Sequence, residues 1–365
     1  MSRGRLLIIG GGQSGLAAAR AGLESGWDPL VLEAGPATEG SWPRYYDSLR
    51  LFSPRRFCGF PGRPFPGDPA GYPSRDEVAA FLRGYADRLG IEVRTGARVL
   101  AVTVDGPGFV AELADGGQVT GDAVIAATGS FARPHLPHLP GQDSYGGRLL
   151  HVADYRSPER FAGQRVLVVG AGNSAVQVGC ELAEVARTSL AVRSPIRFAP
   201  QVIGGRDLHW WLARTRADFL PPVVINRLAP GVPVIDSGRL RESVDAGRPD
   251  QRRLFSSFTS DGVVWDDGAD ERVDSVVFAT GYRPHLPYLS ALGVLDEYGL
   301  PRHRHGISTD RPGLGYLGLE FQRSISSNTL RGVHRDAFGV IGALTGQRRR
   351  TRIGQPLRMR TGRFR

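Results

Sequence analysis

The sequence predicts an α/β protein built from two Rossmann-like dinucleotide-binding domains. A strand, a glycine turn, a helix and a second strand follow one another near the N-terminus, and the same order recurs in the middle of the chain. Two other apolar strand-like runs each end in Thr-Gly. With 365 residues, 41% of them apolar and 22% charged, the chain can form two or three domains with sizeable cores.

The first unit begins with the apolar residues 6–9, which predict a strand, and continues after a glycine turn with the alanine-rich, helix-compatible residues 16–23. In such a turn Gly10 permits the tight bend, Gly12 lets the backbone approach a phosphate, and Gly15 allows close helix packing. The helix N-terminus then offers free N–H groups to a pyrophosphate. The predicted phosphate-binding residues are Gly10, Gly12, Gln13, Ser14 and Gly15.

Glu33 follows the next predicted strand, residues 29–32, about 20 positions after the glycines. A carboxylate at this point accepts hydrogen bonds from ribose hydroxyls and would repel a 2′-phosphate. The first unit is therefore predicted to bind a nucleotide with an unphosphorylated ribose, as in FAD or NAD.

The second unit repeats this order with a strand at residues 165–169, a helix at 176–186 and a strand at 189–192. Ala175 stands where the third glycine would be, a substitution that the motif permits. The predicted binding residues of this turn are Gly170, Gly172, Asn173, Ser174 and Ala175.

Arg193 follows the last strand of the second unit, and the sequence places it at the position that Glu33 holds in the first. A guanidinium at a strand end can neutralise and bind a 2′-phosphate, so NADPH is favoured over NADH. The alternative is that Arg193 is an ordinary surface arginine.

The rest of the chain supplies less regular signals. Residues 44–74 are rich in proline and glycine and are expected to wrap over a neighbouring element. Residues 76–89 predict an amphipathic helix, and residues 93–113 predict strands with a turn at Asp105-Gly106. Residues 204–228 are expected to be partly helical, with Trp210 and Trp211 in the core.

The composition excludes several classes of function. All 46 basic residues are arginine, which excludes lysine chemistry and suits phosphate binding, and the net charge is +10. The arginines are scattered except at residues 347–365, so we expect no nucleic-acid partner and a poorly ordered basic tail. Cys58 and Cys180 form no CxxC pair, which predicts neither a redox disulfide nor a metal site. We expect a cytoplasmic protein without a membrane span, and the sequence makes no prediction of oligomeric state.

Two nucleotide units in one chain suggest electron transfer from NADPH to a flavin. The segment Tyr145-x-Gly147-x-x-x-His151-x-x-x-Tyr155 resembles the FxGxxxHxxx(Y/F) sequence of flavin-containing and N-hydroxylating monooxygenases. Baeyer–Villiger monooxygenases have a similar motif that ends in Trp followed by Pro or Asp, whereas Arg156 follows here. This difference disfavours the ketone-oxidising class. The resemblance indicates that His151 belongs to the interdomain linker, and no catalytic side chain is assigned.

The likeness to flavin-containing monooxygenases extends from about residue 5 to about residue 341. Segment 46–74 is also similar to plant YUCCA-type monooxygenases and to bacterial relatives. Phe52 stands where animal members of the family carry an asparagine thought to support the oxygenated flavin. By resemblance, further FAD contacts are predicted at Trp42 in Gly40-Ser41-Trp42, at Thr128 and Gly129, and at Gly332 before a helix containing Asp336; Thr280 and Gly281 are predicted on the NADPH side.

The resemblance implies an FAD domain of residues 1–145 and 282–345, an NADPH domain of residues 146–281 with hinges near residues 147–164 and Tyr282, and a tail of residues 346–365. It also implies a reaction in which NADPH reduces FAD, O2 adds at flavin C4a, and one oxygen atom passes to a small substrate. Nitrogen or sulfur nucleophiles, 2-oxo acids and ketones are the substrate classes considered, in that order. The alternatives are an NADPH oxidase or reductase, favoured by Phe52, and a non-catalytic flavin-binding sensor.

Overall fold

The computed structural model describes residues 3–228, 233–236 and 238–353 and confirms the predicted fold class. Each of two sheets, one mainly and one entirely parallel, carries a glycine turn at the end of a central strand. The elements of the first half are β1 (Gly4–Ile9), α1 (Gln13–Glu24), β2 (Trp27–Leu32), α2 (Arg75–Leu89), β3 (Glu92–Arg94), β4 (Val99–Asp105), β5 (Gly108–Leu113), β6 (Gln118–Gly121), β7 (Ala123–Ala126), β8 (Arg133–Pro134), β9 (Arg148–His151), β10 (Arg165–Val169) and α3 (Asn173–Leu182).

The second half contains shorter strands and the long C-terminal helix. Its elements are β11 (Arg187–Val192), β12 (Phe198–Pro200), β13 (Val202–Ile203), β14 (Arg206–Asp207), α4 (Leu208–Thr215), α5 (Pro222–Leu228), β15 (Val234–Asp236), α6 (Arg239–Asp245), β16 (Asp250–Arg253), β17 (Ser257–Phe258), β18 (Gly262–Val264), β19 (Asp270–Arg272), β20 (Ser275–Phe278), β21 (Tyr282–Arg283), β22 (His303–Arg304), β23 (Ile307–Ser308), β24 (Leu314–Tyr316) and α7 (Val333–Ile353).

The first domain is built on a seven-stranded sheet with the order β22-β23-β24-β7-β1-β2-β3. Strand β24, from the C-terminal part of the chain, pairs in parallel with β7, so N-terminal and C-terminal segments share one sheet. One face of the sheet packs on the β4–β6 meander, and the other packs on α1 and α7. The predicted discontinuity of this domain is therefore present in the sheet itself.

The inserted domain is built on a five-stranded sheet with the order β16-β11-β10-β20-β9, in which all neighbouring strands are parallel. Its central strands β10 and β20 are almost continuous apolar runs, in which Val166, Val168 and Val277 are fully buried. Such runs are expected of parallel strands that are covered on both faces.

The chain crosses between the two domains at two adjacent places. Strands β8 and β21 form an antiparallel pair in which Pro134 lies opposite Tyr282. After β8, Leu139 and Tyr145 already pack into a core of the inserted domain. The outward crossing therefore precedes the boundary predicted at residue 145, whereas the return crossing lies next to the boundary predicted at residue 281.

Residues 198–228, here called the cap segment, leave the inserted domain as short strands, α4 and α5. Trp211 on α4 is 38% exposed and donates its indole N–H to the carbonyl of Ile203 at 3.0 Å. The expectation that Trp211 belongs to the core is therefore wrong: its apolar face is solvated, and its polar atom is satisfied locally.

Helix α7 continues to Ile353, so the first part of the predicted tail is helical. Residues 354–365 lie outside the described residues. None of the helices in the described ranges is long and apolar enough to cross a bilayer.

Candidate functional site

The first glycine turn joins β1 to α1 with no space for side chains at two of its glycines. Gly10 has a φ of +107°, and a Cβ there would lie 2.8 Å from the carbonyl oxygen of Ala127. A Cβ on Gly15 would lie 1.8 Å from the carbonyl oxygen of Gly10. The turn is thus compact because it is pressed between its own helix and the end of β7.

Gln13 connects this turn to two other segments. Its side-chain amide donates to the carbonyl of Asn328 at 2.6 Å and accepts from the indole N–H of Trp42 at 3.0 Å. The predicted FAD residues Gln13 and Trp42 are therefore in direct contact. Asn328 was missed by the sequence analysis because no motif surrounds it.

Gly12 and Ser14 each face another glycine. A Cβ on Gly12 would lie 3.2 Å from the Cα of Gly40, and a Cβ on Gly318 would lie 2.0 Å from the Oγ of Ser14. Ser14 is buried, and Gly318 has a φ of +84°. Gly318 was also missed, since a single glycine in a loop carries no sequence signal.

Glu33 lies at the end of β2 with its carboxylate fixed toward the turn. One oxygen accepts from the backbone N–H of Gly11 at 2.5 Å, and the other accepts from the N–H of Gly35 at 2.7 Å. Glu33 is only 9% exposed. A carboxylate held in this way retains lone pairs that a ribose diol can use.

The remaining residues predicted for FAD lie just after β7 and just before α7. The Thr128 hydroxyl is 3.1 Å from the hydroxyl of Tyr288, and Gly129 has a φ of +74°. Gly332 immediately precedes α7, and a Cβ there would lie 2.1 Å from the carbonyl oxygen of Ser326.

The second glycine turn, between β10 and α3, has the same construction. Gly170 has a φ of +146°, and its Cβ would lie 2.4 Å from the carbonyl oxygen of Ala279. Ala175 is fully buried. Gly172 has no atom within 4 Å of its would-be Cβ, so the turn is open there toward a ligand.

Asn173 and Ser174 form the first turn of α3. The Asn173 side-chain oxygen accepts from the backbone N–H of Ile235 at 3.1 Å, which leaves its amide N–H2 free to bind a ligand. Ser174 is half-buried. The helix begins without a side-chain cap at Gly172, so its first N–H groups point outward.

The strand register corrects the position assigned to Arg193. Ile9 lies opposite Leu32 in the first domain, and Val169 lies opposite Ala191 in the second. By this register the residue equivalent to Glu33 is Val192, not Arg193. Val192 is buried and uncharged, and Arg193 is the next residue and exposed, without an ion pair in the described part of the chain. In the second domain, the position equivalent to Glu33 therefore carries no negative charge that would repel a 2′-phosphate.

Thr280 and Gly281 lie where β20 ends, and they anchor the interdomain connections. The Thr280 hydroxyl donates to the carbonyl of His135, and the carbonyl of Gly281 accepts from the backbone N–H of His135 at 2.9 Å. The His151 Nδ1 accepts from the N–H of Ala153 at 3.1 Å, so its Nε2 carries the proton and donates to Gly281 at 3.0 Å. Burial lowers the pKa of His151, in keeping with this neutral form.

The spacing of the motif around His151 has a steric reason. A Cβ on Gly147 would lie 2.2 Å from the hydroxyl of Tyr145, which donates to the carbonyl of Val273 at 2.7 Å. The Tyr155 hydroxyl donates to the carboxylate of Glu181 at 2.9 Å. These contacts give the motif a structural role in the inserted domain.

The segment from Trp42 to Tyr46 connects the first glycine turn to helix α3, which follows the second turn. Trp42 contacts Gln13 of the first turn, and the Tyr46 hydroxyl donates to Gln177 on α3 at 2.5 Å. Four residues of chain span at most about 14 Å. The backbone at these two contacts therefore lies close together at the junction of the two domains.

Comparison with known proteins agrees with this construction. The model of the pyridine nucleotide-disulphide oxidoreductase family matches residues 7–202. Rice "Indole-3-pyruvate monooxygenase YUCCA1" is 32% identical over 314 residues, which are 77% of each chain. An "Uncharacterized oxidoreductase CzcO-like" from Geobacillus kaustophilus is 30% identical and covers 92% of this chain and 97% of its own.

Among solved structures, a flavin-containing monooxygenase from Stenotrophomonas maltophilia superposes with a TM-score of 0.83 at 29% identity, covering 95% of this chain and 99% of its own. The chain belongs to the flavin-containing monooxygenase-like family. It is thus an oxidoreductase of a flavoprotein monooxygenase family, and this family uses flavin and nicotinamide cofactors.

Phe52, which the resemblance to animal flavin-containing monooxygenases aligns with an asparagine, lies against the cap segment. Its ring is 38% exposed and stacks against His209 of the cap segment, with ring centroids 6.0 Å apart. Gln201 donates to the Phe52 carbonyl at 2.9 Å. Phe52 is thus in contact with polar groups of the inserted domain. Neither Gln201 nor His209 had a recognisable motif in the sequence.

Proposed function

We propose that the chain is an NADPH- and O2-dependent flavoprotein monooxygenase that transfers one oxygen atom to a small organic substrate. FAD binds at the first glycine turn, where Glu33 holds the ribose, and NADPH binds at the second turn, where Arg193 meets the 2′-phosphate. The observation that supports the proposal is the Trp42–Tyr46 segment, whose side chains contact Gln13 at the first turn and Gln177 on the helix that follows the second.

When bound, FAD would supply the redox chemistry, which is acceptance of a hydride from NADPH and oxygen transfer. The chain supplies binding and orientation. Gly10, Gly12 and Gly15 let the backbone approach the pyrophosphate, and the N-terminus of α1 faces its charge.

Nitrogen and sulfur nucleophiles are the first substrate classes to test, followed by 2-oxo acids and ketones. The names of relatives include two of these substrate classes and do not favour one of them. The rice protein is named for indole-3-pyruvate, and a structural relative from Allium sativum is an S-allyl-L-cysteine S-oxygenase.

A second candidate function is an NADPH oxidase that releases peroxide, and Phe52 favours it. An exposed phenyl ring offers no hydrogen bond where an asparagine would offer one. A poorly supported flavin–oxygen site would release reduced oxygen before transfer.

The test is a stoichiometry measurement on the FAD-loaded protein. NADPH consumed, O2 consumed, peroxide formed and oxygenated product formed are quantified together with a thioether and a tertiary amine as probes. We expect product to account for most of the NADPH consumed. Peroxide equimolar with NADPH and no product from any of the four substrate classes would establish the oxidase instead.

A further inference from the structure

A polar cluster in the cap segment is centred on Asp207, which ends β14 and caps α4. One carboxylate oxygen accepts from the backbone N–H of His209 at 2.7 Å and lies 3.0 Å from its Nδ1. The other oxygen accepts from the Tyr72 hydroxyl at 2.7 Å and from the Gln201 amide at 2.5 Å. The carboxylate therefore receives donors from both domains.

This arrangement fixes the tautomer of His209. Because Nδ1 donates to a carboxylate, the proton is on Nδ1 and the lone pair is on Nε2. No residue in the described part of the chain hydrogen-bonds Nε2. The ring is held between Phe52 and Phe57, with centroid distances of 6.0 and 6.2 Å. His209 thus has an oriented, unused basic nitrogen.

The cluster lies beside the proposed flavin site. Phe52 follows Leu51, which packs in one core cluster with Leu16, just after Gly15, and with Leu330. Arg331, between Leu330 and Gly332, is close enough to affect the titration of His209. His209 is therefore placed between the flavin-side loop and the segment that leads into α7.

Burial lowers the pKa of His209, Asp207 raises it, and Arg331 lowers it slightly further, so the ring is neutral at pH 7. Arg331 itself forms an ion pair with Asp218. The Asp207 carboxylate at Nδ1 favours a cationic ligand, and it stabilises the imidazolium once Nε2 has accepted a proton.

We propose that His209 is the proton-accepting catalytic residue of this site, positioned by Asp207, and that it serves cationic nitrogen substrates. This inference rests on the proposed monooxygenase function. The ammonium N–H bond breaks, its proton moves to His209 Nε2, and the freed lone pair forms the N–O bond. NADPH is oxidised and O2 is reduced, and the ammonium proton and the hydride of NADPH end together in one water molecule.

The test compares two probes that differ in whether a proton must be removed. N,N-dimethylbenzylamine is a cation at pH 7, whereas methyl phenyl sulfide has no proton to lose. We expect His209→Gln to lower kcat for the amine at pH 7 by about a hundredfold, the range for a lost general base. Above the amine's own pKa the loss should disappear. The sulfide kcat should stay within about twofold at both pH values, as should both rates of the control His138→Gln, whose side chain is 70% exposed.

A structural role would give a different pattern. Equal losses on both probes, or no loss on the amine, would overturn the assignment while leaving the monooxygenase proposal intact. If wild-type protein oxygenates neither probe and returns all electrons as peroxide, the proposed function fails and the inference fails with it. Should His209→Gln bind less FAD than wild type, His209→Asn, which keeps a donor toward Asp207, takes its place under the same criteria.

Discussion

At the residue scale, the proposed choice of cofactor rests on two neighbouring positions. Val192 occupies the position of Glu33, where a carboxylate would repel a 2′-phosphate, and Arg193 is the next residue, for which we propose a contact with that phosphate. The proposed preference for NADPH therefore rests on strand register as well as on residue type.

Arg193→Ala should raise KM for NADPH about 10- to 100-fold, because a charge-assisted hydrogen bond contributes about 1.5–3 kcal/mol. KM for NADH should change little, since NADH lacks the 2′-phosphate. Steady-state NADPH and NADH oxidation by the FAD-loaded protein measures both. The matched control is Arg160→Ala, an exposed arginine of the same domain. Equal changes with both nucleotides would mean that Arg193 does not contact the phosphate.

His334, in the first turn of α7, is a buried histidine whose ring nitrogens make no hydrogen bonds within the described residues. Its ring is 8% exposed and packs against Phe60 at 3.9 Å between centroids, and neither nitrogen has a partner within the described ranges. Burial, with the nearby charge of Arg20, lowers the pKa of His334 to about 3. The folded protein therefore holds this residue neutral where the unfolded chain would protonate it.

The sign of the resulting pH dependence is fixed by this lowered pKa. Below the unfolded value of about 6.5 the unfolded state binds the extra proton, so stability falls as pH falls, by about 1.4 kcal/mol per pH unit down to the folded pKa. The free energy of unfolding of His334→Phe, taken relative to that of wild type, should therefore rise by about 2 kcal/mol as the pH falls from 7 to 5. Thermal or urea unfolding at both pH values measures this, and His138→Phe should show no such gain.

At the element scale, several contacts hold the cap segment to the first domain, and two of them involve carboxylates of the cap segment. Asp207 receives the Tyr72 hydroxyl, and the buried Asp218 forms a bidentate ion pair with Arg331. Asp218 is 2% exposed, and burial raises its pKa against the opposing effect of Arg331. Because these contacts join different domains, the cap segment can open only by breaking them.

Arg331→Met should open the cap segment, because it leaves the Asp218 carboxylate buried without a partner, a loss of about 3–5 kcal/mol. Tryptic cleavage after Arg214 and Arg216 should then accelerate on the order of a hundredfold, since cleavage follows the open population. Mass spectrometry of timed digests measures it. Adding Asp218→Leu to Arg331→Met should restore most of the protection.

The control for this experiment is Arg335→Met. Arg331 and Arg335 both lie over the ring of Phe219, at 5.1 and 4.2 Å from its centroid. Unlike Arg331, Arg335 has no hydrogen bond to Asp218. Arg335→Met should change the cleavage rate by no more than about threefold relative to wild type, because it removes only a cation–π contact. If Arg335→Met and Arg331→Met accelerated cleavage equally, stacking and not the ion pair would hold the cap segment.

At the scale of the whole molecule, the two β-α-β units were predictable because their signals are local. An apolar run, a glycine turn and an alanine-rich helix are contiguous in sequence, and β1, α1, β10 and α3 begin within a few residues of the predicted positions. The discontinuity of the first domain came from family resemblance, and the pairing of β24 with β7 confirms it.

The cap segment and its contacts were not predictable in the same way. The Tyr72–Asp207 and Asp218–Arg331 contacts join residues more than a hundred positions apart, and no periodicity or motif marks these residues. The error over Arg193 has a related cause, because residue counting gives the end of a strand but not its register. The site assignments for the two cofactors stay predictions, with a geometry that accommodates them.

The pairing of β8 with β21 bears on how such a chain arises and how it can be rebuilt. His135 and Gly281, at the two ends of the inserted domain, are joined by a backbone hydrogen bond of 2.9 Å. Because the two ends of the inserted domain are this close, the whole domain can be inserted or replaced at one place, next to the β8–β21 pair. The strand order of the seven-stranded sheet would not have to change. In such an exchange the side-chain contacts between the domains, among them Tyr46–Gln177, Tyr72–Asp207 and Arg331–Asp218, would have to be formed anew.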